Sequence, residues 1–141
     1  MRVTNIDTLS AYLDRLVTEN IKLYFFNKDG LIEKIEHQKI VINEIKIKIT
    51  QLISESLDNK SYDYISENRT FNENTIIEEL EELIQNDINI GEADRARLEE
   101  AKKDKPNLER MIINEKRLRK ANEGRARNKN TIDKLFKKII E

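Results

Sequence analysis

Residues that interrupt helices are nearly missing from this chain: glycine occurs only at 30, 91 and 124, and the single proline is Pro106. A chain with few glycines has few easy routes through positive φ, and one with few prolines keeps its backbone donors, so long stretches are free to coil. The 141 residues suit a single helical domain, 1–141, with one modest core. The expected fold class is all-α: an elongated helical bundle built on an antiparallel N-terminal helical hairpin, with a long basic C-terminal helix.

The spacing of apolar residues supports this. From Asn5 to Asn27, the residues Ile6, Leu9, Leu13, Leu16, Asn20 and Leu23 recur at steps of three and four, with Tyr12, Val17 and Tyr24 widening the face. Thr4 or Asn5 supplies a cap, and Asn27 to Gly30 a stop. A second stripe runs from Leu31 to Leu57 through Ile35, Ile42, Ile45, Ile49 and Leu52, which predicts a helix antiparallel to the first, with Gln38 as its weak point. Residues 39–50 also admit a strand, since Ile45, Ile47 and Ile49 alternate with lysines. A tight hairpin there would turn at Asn43-Glu44 without a glycine, and the helical spacing accounts for more residues. The hairpin is therefore placed at 5–57.

Residues 58–72 lack a stripe and read as a connection whose Tyr62, Tyr64, Ile65 and Phe71 fold back on the bundle. In 73–104 an acidic helix carries Ile76, Ile77, Leu80, Leu83 and Ile84, with Thr70 and Glu73 resembling a capping box. Asn89 and Gly91 suggest an interruption before a more exposed helical piece. The basic helix spans 105–141, with Pro106 in its first turn and Asp104 as its cap. Its apolar residues gather at the two ends. The stretch KANEGRARNKN between them has almost nothing to bury, so it is solvated, bound to something charged, or bent at Gly124.

A net charge of −1 conceals two opposed halves. Residues 1–90 hold 10 bases against 17 acids, and residues 91–141 hold 16 bases against 10 acids. The acidic and basic helices can neutralise each other side by side. Alternatively, the basic helix can track a phosphate backbone, with Arg117, Arg119, Lys120, Arg125 and Arg127 as contacts. No aromatic residue interleaves that stretch for stacking, and no helix-turn-helix or zinc spacing accompanies it.

Catalytic constellations are not apparent. The chain has no cysteine, and its one histidine, His37, has Glu33 and Glu36 nearby but no second histidine to complete a bundle metal site. Three scattered glycines cannot form a phosphate loop, and DINIGEAD misplaces the glycine and closing acid of a calcium loop. No apolar run approaches the roughly 20 residues of a membrane span, and no secretory leader is recognisable, so the expected location is cytoplasmic. The expected function is a non-enzymatic helical interaction or assembly module, with no cofactor, no metal, no membrane and no small-molecule substrate. It would work through a protein partner or self-association along a seam of Leu9, Leu13, Leu16, Leu23, Ile35, Ile42, Ile49 and Leu52. The alternative is a nucleic-acid-associated accessory or regulatory protein acting through the basic helix.

Overall fold

The computed structural model describes residues 8–64, 72 and 74–141, and these form four helices: α1 (Leu9–Lys28), α2 (Ile32–Asn59), α3 (Ile76–Ala101) and α4 (Leu108–Ile140). No strand occurs among the described residues. The all-α expectation holds, and residues 39–50 are helical throughout α2. Isoleucines that alternate in sequence also fall on two helix faces: Ile45 is buried, Ile49 half-buried and Ile47 exposed.

Three of the four helices, α1, α3 and α4, start on a short polar side chain that satisfies an orphan backbone N–H, whereas α2 follows Leu31 without a side-chain cap. Thr8 caps α1 by accepting from the Ala11 N–H at 3.1 Å; the expected caps Thr4 and Asn5 lie outside the described residues. A capping box opens α3, but at Thr75 and Glu78. The expected pair Thr70 and Glu73 lies outside the described residues, as do Ile65 and Phe71. Asn107, and not Asp104, caps α4: the helix starts at Leu108, two residues beyond Pro106, so Pro106 precedes the first turn, and the Asn107 side chain accepts from the Arg110 N–H. At the α1–α2 turn Gly30 adopts φ 68°, the left-handed conformation a tight reversal needs.

The expected interruption at Asn89 and Gly91 does not occur, and α4 runs to the C-terminal end as one helix, as expected, its 33 residues including Gly124. A single glycine costs a helix about 1 kcal/mol, which packing along a long interface readily offsets.

The helices form two hairpins joined through α1. α2 packs along α1, and α3 along α4 more extensively than any other pair. α1 is antiparallel to α4, since Ser10 meets Asp133 and Asp14 meets Arg125. It is parallel to α3, since Leu9 clusters with Leu83 and Phe25 lies under the Arg95 guanidinium, 3.4 Å from the ring centroid. Leu9, Tyr62, Leu83, Ile132 and Phe136 make the apolar core near the N-terminal end of α1. Tyr62 does fold back: its ring meets Phe136 edge-on at 4.6 Å and stacks on Tyr64 at 6.0 Å.

Candidate functional site: a buried polar seam behind an open apolar groove

Beyond that core, α4 offers α1 and α3 a polar face. Asn128, Asn130, Thr131 and Asp133 are all buried. Such groups are tolerated inside a protein only when their hydrogen bonds are made. Asp133 accepts from the Ser10 backbone N–H at 3.1 Å, from the Ser10 hydroxyl at 2.5 Å and from the Tyr62 hydroxyl at 2.5 Å. The Tyr62 oxygen in turn accepts from the Leu9 N–H at 2.8 Å, so one carboxylate holds the first turn of α1, the segment after α2 and α4. Burial, and then the neighbouring Asp133 charge, raise the Tyr62 hydroxyl above its ordinary range. Burial also raises Asp133, against the hydrogen bonds from Ser10 and Tyr62.

Further along, the fully buried Glu79 accepts from three amides: Asn72 at 3.2 Å, Asn74 at 2.9 Å and Asn128 at 2.7 Å. Asn128 accepts from Asn86 at 2.7 Å, and Gly124 lets the Asn86 side chain approach α4 closely.

The third cluster is the most polarised. Asp14 and Asp87 are 2% and 4% exposed, and the Arg125 guanidinium reaches both. Its Nε donates to Asp14 Oδ2 at 2.9 Å and its Nη2 donates to the same oxygen. Asp14 Oδ1 and both oxygens of Asp87 are buried and have no hydrogen-bond donor among the described residues. The two carboxyls are close enough to bond each other once one holds a proton. Burial, reinforced by Asp14, pushes the Asp87 carboxyl up to about 8, against the pull of Arg125 and Lys129.

The polar α4 middle was expected to have almost nothing to bury. Instead Ala121, Gly124, Asn128 and Asn130 are all buried there, because the polar atoms on α1 and α3 supply matching partners.

Asp14 and Asp87 adjoin, in sequence, Leu13 and Ile88, which line an open apolar groove between α1 and α3. Leu13, Leu16, Val17, Ile21, Tyr24 and Phe25 line it from α1; Leu80, Ile84 and Ile88 line it from α3. Its volume is about 640 Å³, with Asn20, Gly91 and Glu92 completing the lining.

The residues singled out from sequence divide among these places. Leu9 lies in the apolar core, with Leu13, Ile49 and Leu52 packed against it. Ile42 is buried; Leu23 and Ile35 are half-buried; Leu16 lies in the groove. The five cations do not share one surface. Arg125 is bound to the acids, and Arg117 contacts Glu92 of α3 at 3.4 Å. Arg119 and Lys120 are exposed and Arg127 is half-buried. His37 is exposed on α2 beside Lys34 and Gln38. Gln38, the weak point of the second stripe, is buried and donates to the Glu19 backbone carbonyl at 2.8 Å.

Sequence reasoning missed Asp14, Asp87 and the groove as a unit. A signal existed for Asp87, an acid four residues after Leu83 within an apolar stripe. Another existed in the face of α1, which is wider than packing on one helix requires.

Among the described residues, no group of three or more His, Asp or Glu side chains could hold a metal ion, and no helix is long and apolar enough to cross a membrane. Comparison with known protein families, characterised proteins and solved structures gives no match to this chain.

Proposed function

We propose that this chain is a non-enzymatic helical interaction module that seats an amphipathic helix of a partner protein in the groove between α1 and α3. The groove itself carries the reading. Nine apolar side chains line a volume of about 640 Å³ that stays open in a chain of only 141 residues. Sites that seat a ligand or helix are concave, mainly apolar and bordered by a few polar groups.

The dimensions and charge suggest the occupant. From Leu13 to Tyr24, α1 presents about 16 Å of lining, the length of three helical turns. A guest helix with apolar anchors at i, i+4, i+7 and i+11 spans that distance. Outside the buried seam, α3 carries four exposed acids between Ile76 and Glu92 (Glu78, Glu81, Glu82 and Glu92) and no base, and Glu92, the partner of Arg117, lies in the groove lining. A guest with lysine or arginine beside its apolar stripe therefore complements the wall better than an acidic one.

Fluorescence polarisation with designed amphipathic peptides tests this. Peptides with a leucine stripe and lysine flanks should bind, and the same stripe with glutamate flanks should bind more weakly. Val17→Glu and Ile84→Glu should each abolish binding while leaving helicity and melting temperature nearly unchanged. Equal binding of both peptides, or none of either, overturns the reading.

A second reading, contact with a phosphate backbone, draws support from Arg119, Lys120 and Arg127, for which no ion pair is recorded among the described residues. Generic duplex binding that weakens steeply with salt would favour it.

A further inference from the structure

The outer face of α4 carries a charge pattern that is complementary to its own reverse. Glu115, Arg119, Glu123 and Arg127 stand four residues apart along one ridge and alternate in sign. Beside them run Leu118, Asn122 and Ala126. These seven residues line a shallow hollow of about 500 Å³ to which no other helix contributes. Glu115, Arg119, Asn122 and Glu123 are exposed. Arg119, Glu123 and Arg127 make no recorded ion pair among the described residues, while Glu115 meets Arg97 at 3.1 Å. Between Arg110 and Lys138 the helix has eleven bases but only three acids, and one of these, Asp133, is buried. Both exposed acids of this strongly basic segment therefore fall on the one ridge.

We propose that a second copy of this chain docks on this ridge, α4 against α4, as an antiparallel pair about a twofold axis near Ala121 and Asn122. In a twofold contact, if one residue meets another, the second meets the first across the axis. With this centre, Glu115 opposes the partner's Arg127 and Arg119 opposes the partner's Glu123; symmetry repeats both pairs. Leu118 opposes the partner's Ala126, so a large side chain enters the space left by a small one. Asn122 meets its own counterpart, and two amides can donate to and accept from each other. A single asparagine of this kind sets the register of paired helices.

The alternatives are disfavoured by charge. A parallel twofold pair sets each ridge residue against its own kind. An antiparallel register displaced by one ridge position sets Arg119 against the partner's Arg127 and Glu123 against its own counterpart. The ridge shares no residue with the α1–α3 groove, so either proposal can fail alone. One helix face of 13 residues is smaller than a standard protein interface, so the association is reversible and salt-sensitive.

Analytical ultracentrifugation of the full chain at low salt, over a wide concentration range, is the test. The wild type should form a reversible dimer. Arg119→Glu and Glu123→Arg should each weaken it by at least about tenfold, since symmetry introduces two like-charge pairs per reversal. The double variant Arg119→Glu/Glu123→Arg should recover most of the wild-type affinity, with helicity and melting temperature held constant as the control for folding. A phosphate-binding face behaves differently: Glu123→Arg strengthens binding to a DNA duplex while Arg119→Glu weakens it. That asymmetric result without a dimer overturns the proposal. So does a wild type that stays monomeric at millimolar concentration, or a double variant no better than either single one.

Discussion

Asp14 of α1 and Asp87 of α3 face each other inside the protein and share one counter-ion, Arg125 of α4, which lies against Asp14 Oδ2 and stands 3.5 Å from Asp87 Oδ1. Two carboxylates and one guanidinium leave an excess negative charge where water is nearly excluded. The simplest relief is a proton on Asp87, held between it and Asp14.

That proton makes stability depend on pH in a definite direction. Asp87 is raised from an ordinary value of 3.8 to about 8, so between those values the folded chain holds a proton that the unfolded chain has released. Stability therefore falls as pH rises through this window and levels off above it. The total loss is on the order of 5 kcal/mol, since each tenfold change in proton affinity is worth about 1.4 kcal/mol. Asp87→Asn should flatten most of the slope, matching the wild type near pH 4 and exceeding it near pH 8. Burial raises Asp133 in the same sense and leaves a smaller residual slope. Urea denaturation across the pH range measures this, and an unchanged slope in the variant would count against the shared proton.

Removing the cation should be far more damaging than removing the acid. Arg125→Met keeps the apolar stem but leaves Asp14 and Asp87 with no nearby guanidinium. The expected loss is about 3–5 kcal/mol at neutral pH. Adding Asp14→Asn and Asp87→Asn should recover much of it, because the buried charges are then gone. Chemical denaturation of the single and triple variants provides the comparison.

Tyr62→Phe isolates the other carboxylate centre. The lost hydroxyl donates to Asp133 and accepts from the Leu9 N–H, and both partners lie in buried surroundings. Leaving them unmet should destabilise by about 2 kcal/mol, with the ring packing on Phe136 kept. Calorimetry should show a melting temperature lower by several degrees with little change in helix content.

Gly124 and Asn86 should be coupled so strongly that one substitution changes sign with the other. A methyl group at 124 would sit 2.7 Å from Asn86 Nδ2, displacing a side chain bonded to Asn128. Gly124→Ala should thus destabilise the wild type by about 1 kcal/mol, the lost hydrogen bond outweighing the gain in helix propensity. In an Asn86→Ala background it should stabilise by about 1 kcal/mol, since only the propensity gain remains. A double-mutant cycle reads the coupling directly.

The scarcity of helix breakers and the three-four spacing of isoleucine and leucine determined the helical class, the α1–α2 hairpin turning at Gly30 and the long C-terminal helix, while the continuity of α3 through Gly91 came only with packing on α4. The first three are local properties, because a helix satisfies most of its own backbone within one segment and its apolar stripe is visible in one dimension. The placement of polar side chains was not local. Arg125 read as a surface cation, and Asn128 as part of a solvated stretch, until α1 and α3 brought Asp14, Asp87 and Glu79 against them. Whether an ionisable group is buried depends on a partner distant in the chain, since only that partner offsets the desolvation of its charge. The groove is likewise tertiary: each of its walls is an ordinary amphipathic stripe, and only the packing of α1 beside α3 decided that part of both stripes would stay uncovered.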